Sequence, residues 1–145
     1  MYKLLFLCTG NYYRSRFAEL LFNACASEQG LLWQALSRGV ALEQGSGNAG
    51  PMSPLAIQTL QALGITSDAF SRHPLQVQEE DLQGAEIIIA LQEAEHRPYL
   101  QARYPALVDK VEYWHVRDGV PTPAYDPLQE ISRAVQQLLA RLATP

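Results

Sequence analysis

Two cysteines in 145 residues are too few for a disulfide framework. Long apolar runs are missing as well: no stretch nears the roughly 20 residues of a membrane-spanning helix. The N-terminus has no charged-then-apolar leader, so Leu4-Leu5-Phe6-Leu7 is expected to be a first, buried strand. Positive charge is scarce, with 11 Lys and Arg against 15 Asp and Glu and a net charge of −4. That balance gives no general attraction to nucleic acid or to an anionic membrane, so any anion must be held by a local device. His73, His96 and His115 have no metal-ligand spacing with each other or with cysteine, and no metal or organic cofactor is implied. They are expected to be surface or locally satisfied histidines. There is no internal repeat, low-complexity segment or linker, which leaves one domain over residues 1–145. Apolar content of 48% with 18% charged residues suits a chain that buries a substantial core.

What the chain does have is Cys8-Thr-Gly-Asn-Tyr-Tyr-Arg14-Ser15, placed between that apolar run and a helical pattern of Phe17, Leu20, Leu21, Ala24 and Cys25. Strand, tight loop, helix is the order in which a loop can cradle a phosphate. Gly10 is expected to let the loop turn sharply and aim successive backbone N–H groups at one anion. The helix start adds free N–H groups and the positive end of its dipole. Arg14 offers two parallel hydrogen bonds to phosphate oxygens. The same field favours thiolate over thiol at Cys8, and Ser15 would donate to that sulfur or cap the helix. These residues point to cysteine-dependent phosphoryl transfer. A working thiolate needs reducing surroundings, hence a cytoplasmic expectation. Cys25, on the helix's apolar stripe, is read as inert core.

Further along, strands are expected at 2–7, 32–39, 85–91 and 111–116. Helices are expected at 15–28, from Ser53-Pro54 to Leu63-Gly64, from Glu93 towards Arg103, and from Asp126-Pro127 onward. The second helix should face inward with Ala56, Ile57, Leu60 and Leu63, and Pro98 should bend the third or force its boundary. The last should bury Leu128, Ile131, Val135, Leu138, Leu139 and Leu142. Residues 43–50 are read as a surface loop, Glu79-Glu80-Asp81 as a solvated acidic turn, and Arg16 and Arg72 as solvated side chains. Alternating strands and helices give an α/β fold with an open, doubly wound, four-stranded parallel sheet. Ligands of such sheets sit at the carboxyl ends of strands, where the Cys8 loop lies.

The leaving oxygen needs a proton, and one late loop offers two aspartates. Asp118 follows the last strand by two residues and so lies at a carboxyl end. Asp126, with Pro127 behind it, has the position of a helix N-cap.

Leu4 to Glu19 resembles the opening of low-molecular-weight protein tyrosine phosphatases, whose fold is shared with thioredoxin-coupled arsenate reductases. Weaker echoes are Ser37-Arg38-Gly39, Leu63-Gly64-Ile65, Ser71-Arg72, Ala85 to Ile89 and Trp114 to Asp118. The resemblance spans nearly the whole chain, though only the loop is highly specific. It implies phosphomonoester hydrolysis through a cysteinyl-phosphate, with Cys8, Arg14 and Asp118 catalytic. It implies a phosphate site formed by Thr9, Gly10, Asn11, Tyr12, Tyr13, Arg14 and Ser15, with Asn11 holding the loop's shape and Tyr12 at the pocket mouth. The implied substrate is a phosphotyrosine protein or small aryl phosphate, acted on by a monomer or weak dimer.

Two departures stand out. Gly119, Val120 and Pro121 follow Asp118 where the family usually has proline and then aromatics, and Tyr13 replaces a second cysteine that many members carry. They keep open a non-catalytic phosphate-binding or regulatory module as an alternative. Arsenate reduction would need two further cysteines in a flexible segment, and none follows Ala90.

Overall fold

The computed structural model describes residues 1–45 and 47–144; Ser46, within the expected surface loop, lies outside them. Four parallel strands form one sheet in the order β2-β1-β3-β4: β1 Tyr2–Cys8, β2 Trp33–Gly39, β3 Ile87–Ala90 and β4 Glu112–Tyr113. Among the described residues five helices accompany it: α1 Arg14–Glu28, α2 Pro54–Ala62, α3 Glu79–Gln83, α4 Glu93–Arg103 and α5 Pro127–Ala143. Short 3-10 turns occupy Leu42–Gly45, Asp68–Ser71 and Val108–Lys110.

The continuous apolar run of β1 follows from cover on both faces. Successive side chains alternate, so Leu4 and Phe6 enter a larger cluster with Phe17 and Leu21 of α1 and Ile131 and Val135 of α5. Leu5 and Leu7 enter a smaller one with Leu82, Leu100 and Val111. The chain passes from β1 to β2 on one side and returns to β3 on the other, so the strand order reverses between β1 and β3. The crevice at that reversal is where open α/β sheets bind ligands.

Helix ends follow local chemistry. Gly64, at φ +80, lets α2 close by paired bonds, Gly64 N–H to Gln61 O and Ile65 N–H to Leu60 O. That turn puts Ile65 against the core and leaves Leu63, expected inside, 56% exposed. Pro98 lies within α4 without ending it.

The third and fourth strands are shorter than expected. β3 starts only at Ile87, since Glu86 N–H pairs singly with Lys3 O. Beyond Tyr113 the regular ladder stops, and His115 makes only an isolated antiparallel bridge to Gln92. Val116 O is taken there by the Arg14 guanidinium at 2.9 Å, which turns a strand carbonyl into part of the site.

Candidate active site

The loop between β1 and α1 is held from behind. Asn11, not Gly10, adopts the left-handed conformation, at φ 51. Its amide donates to Ser15 Oγ at 2.9 Å and Ser37 Oγ at 3.0 Å. Its carbonyl oxygen accepts from Arg72 Nη1 at 3.1 Å and Leu75 N–H at 3.0 Å. Gly10 contributes room: a Cβ there would sit 3.5 Å from Asn48 Nδ2 and 3.6 Å from Gly45 Cα.

The arginines expected in solvent are structural. Arg16 is fully buried and donates to Asn11 O, Pro51 O and Ala69 O. Burial, then the nearby Arg72 charge, lowers its pKa to about 10. Arg72 ties Asn11, Ser37 and Glu19 together. Both cations connect distant segments to the loop, which a sequence window does not register.

Gly39 is the tightest joint. A Cβ there would lie 2.5 Å from Leu42 Cδ1, 2.7 Å from Thr9 O and 3.1 Å from Asn11 N. Two of those atoms are backbone of the loop itself. Gly39→Ala should lower stability by about 1–3 kcal/mol through overpacking and distort the loop. A melting curve and kcat/KM measured together should both fall, whereas an unchanged pair would show that the joint has slack.

Cys8 Sγ lies 2.9 Å from Ser15 Oγ at the foot of a cavity of about 360 Å³. Cys8, Gly10, Tyr12, Tyr13 and Arg14 line one side, Gln44, Gly45, Asn48, Ser53 and Leu55 another, and Asp118, Gly119 and Val120 the lip. Ser15 does not cap α1, because it lies inside the helix, whose cap residue is Tyr13. Thr9, Asn11 and Ser15 stand behind the cavity wall rather than in it. Gln44, Gly45 and Asn48, in a stretch expected to be mere surface, belong to the opposing wall.

Arg14 is 2% exposed. Burial opposes its charge, but Cys8 and Glu95 outweigh that and hold its pKa above the usual arginine value. Nη1 donates to Val116 O at 2.9 Å and Gln92 Oε1 at 3.4 Å, and Nη2 to Glu95 Oε2 at 2.7 Å. Of the five N–H groups of a guanidinium, these contacts leave Nε–H and one Nη2–H, the pair that grips a phosphate in parallel. Asp118 Oδ1 stands 3.7 Å from Nε.

Glu95 is the residue that sequence reasoning missed. Besides Arg14 it accepts from Thr9 Oγ1 and lies 3.2 Å from His96 Nε2. Burial raises its pKa, yet hydrogen bonds from His96, Arg14 and Thr9 prevail and hold it well below the usual carboxylate range. His96, fully buried beneath the loop, accepts from Gln92 N–H at Nδ1, so the ring proton sits on Nε2 and faces Glu95 and Thr9. Burial lowers its pKa and keeps the ring neutral. The one available signal was position, an acid in the first turn after a strand bordering β1.

Asp126 is elsewhere engaged: its Oδ1 accepts from Leu128 N–H at 3.0 Å and Gln129 N–H at 3.4 Å as the cap of α5. Tyr12 lines the mouth, with its hydroxyl donated to Ala49 O at 2.6 Å. Cys25 packs against the larger cluster, away from the cavity. Among the described residues no group of three or more His, Cys, Asp or Glu is placed to hold a metal, and no helix is long and apolar enough to cross a membrane.

A profile of the family described as low molecular weight phosphotyrosine protein phosphatase matches residues 3–144. No curated protein matches the chain in sequence. Among solved structures, YfkJ from Bacillus subtilis is 29% identical with a TM-score of 0.78, covering 99% of this chain and 95% of its own. A low molecular weight protein tyrosine phosphatase from T. tengcongensis is also 29% identical, with a TM-score of 0.66 and coverage of 99% and 96%. The YwlE arginine phosphatase from Geobacillus stearothermophilus is 26% identical, with a TM-score of 0.59 and coverage of 98% and 88%.

Proposed function

The chain belongs to the low molecular weight phosphotyrosine protein phosphatase family, cysteine-dependent phosphomonoesterases, and we propose that Cys8, Arg14 and Asp118 carry that chemistry here on an aryl phosphate. The carrying observation is that all three side chains line one cavity at the carboxyl end of β1.

The Cys8 thiolate attacks phosphorus in line, steadied by the Ser15 hydroxyl. Arg14, through Nε–H and its remaining Nη2–H, and the N–H groups of the loop and of the α1 start hold the phosphate oxygens as charge builds on them. As the phosphorus–oxygen bond breaks, Asp118 gives its proton to the leaving phenolate. Water then attacks the cysteinyl-phosphate, Asp118 takes a proton from it, the phosphorus–sulfur bond breaks, and phosphate leaves with the thiolate restored. Reducing surroundings keep that sulfur usable, so we assign the protein to the cytoplasm.

Tyr12, Leu55 and Val120 make an apolar mouth that suits a flat ring. A phosphotyrosine peptide should therefore be hydrolysed at least about a hundredfold faster, in kcat/KM, than the same peptide with phosphoserine. Because the arginine phosphatase is among the similar structures, a phosphoarginine peptide belongs in the comparison. Faster turnover of phosphoarginine would overturn the aryl assignment. Tight phosphate binding with no turnover of any of the three would favour a binding module.

A further inference from the structure

The mechanism leaves a shielded hydroxyl of the cavity wall unused. Tyr13, immediately before Arg14, lines the cavity with Cys8, Arg14 and Asp118, while its ring packs against the larger core cluster. Its hydroxyl is shielded from solvent and has no hydrogen-bond partner among the described residues. A hydroxyl kept from water without a partner costs free energy, and in a native site such a group calls for a cause, a catalytic role among them.

The charged and titratable groups near enough to act on that phenol are Asp126, Asp118, Arg14 and Tyr125, and Asp118 and Arg14 line the same cavity. Asp126 is fixed by its cap bonds, and Arg14 has only donors to offer. The Tyr125 hydroxyl already accepts from Arg117 N–H at 2.9 Å. Asp118 differs from all three. Its side chain is 67% exposed and, among the described residues, has one polar contact, the 3.7 Å approach to Arg14 Nε. The residue after it, Gly119, stands at φ +126, a conformation that glycine adopts readily, with nothing within 4 Å of a would-be Cβ.

We propose that Tyr13 is a positioning residue for Asp118: with substrate bound, its hydroxyl donates to one carboxyl oxygen and leaves the other aimed at the leaving-group oxygen. This rests on Asp118 being the general acid. The phenol keeps its proton throughout, because burial and then the Asp126 and Asp118 charges push its pKa up to about 12. The hydrogen bond strengthens as Asp118 loses its proton to the leaving group, so it favours the transition state over the ground state. In this chain a phenol stands where many family members have a thiol, and it serves the acid rather than the sulfur.

Tyr13→Phe keeps the ring and removes only the donor. The melting temperature should hold or rise, since the lost hydroxyl had no partner in the free enzyme. With phenyl phosphate, kcat/KM should fall about tenfold, and clearly less with para-nitrophenyl phosphate, whose phenolate needs little help from an acid. In an Asp118→Asn background the same substitution should cost under about twofold, because the group it positions can no longer transfer a proton. Equal losses in both backgrounds, equal losses with both substrates, or no loss while Asp118→Asn is strongly impaired would each overturn the proposal and leave the acid assignment standing. An Asp118→Asn variant with full activity would sink both.

Discussion

Cys8→Ser should abolish hydrolysis of para-nitrophenyl phosphate, a fall of roughly ten-thousand-fold or more in kcat. A serine hydroxyl at this position stays protonated at neutral pH, and Ser15 Oγ, 2.9 Å from the sulfur, is placed to donate to an anion rather than to remove a proton. Among the described residues the carboxyl group at the cavity lip is that of Asp118, on the leaving-group side. The variant should still bind phosphate or vanadate within a few-fold of wild type, because Arg14 keeps its bonds to Val116 O, Gln92 and Glu95. Loss of turnover with retained binding separates the nucleophile from the cradle around it. Retained turnover would exclude the covalent route.

The second large effect separates the two aspartates. Asp118→Asn should slow kcat/KM for phenyl phosphate by about a hundred- to a thousandfold. Stability should change by less than about 0.5 kcal/mol, because the side chain is largely exposed and its one ion contact is long. Asp126→Ala should do the reverse. It removes the acceptor for Leu128 and Gln129 N–H at the start of α5 and should cost about 1 kcal/mol of stability while kcat stays near wild type. Urea melts and steady-state kinetics on the two variants decide the assignment. A catalytic collapse in Asp126→Ala with normal rates in Asp118→Asn would reverse it.

The parts of this protein that were legible in the sequence are those whose cause is local. Cys8 to Ser15 combines a buried strand, a turn and a helix start within a few residues. Asp126-Pro127 and Gly64 announce helix ends by their own conformational preferences. The parts not legible depend on residues far apart in the chain. Arg16 looks like a solvated cation until Pro51 O and Ala69 O close over it. Glu95 looks like one more acid on a polar helix until β3, next to β1, carries it under the loop to Arg14. Glycine is the expected turning residue of such a loop, yet the positive φ falls on Asn11, whose amide has four partners in place to hold it there. Val111 to Val116 has the composition of a strand, yet the regular ladder covers only Glu112–Tyr113, and Val116 O is claimed by a side chain.

The two departures from the family pattern acquire a physical setting. Gly119 and Val120 stand where the resemblance implies proline and then an aromatic residue, and Val120 is 74% exposed at the cavity edge. A lip with fewer fixed contacts leaves orientation of Asp118 to groups behind it, where Arg14 and the shielded, unpartnered Tyr13 hydroxyl share its cavity.

The claim on which all this depends is that phosphate passes through a bond to the sulfur of Cys8. Acid quenching of the enzyme during turnover of a fast aryl phosphate, followed by mass spectrometry of the N-terminal peptide, tests it directly. The account predicts one added phosphoryl group, localised to Cys8 and absent from Cys8→Ser. A phosphoryl group on another residue, or none during turnover that Cys8→Ser leaves intact, would contradict it.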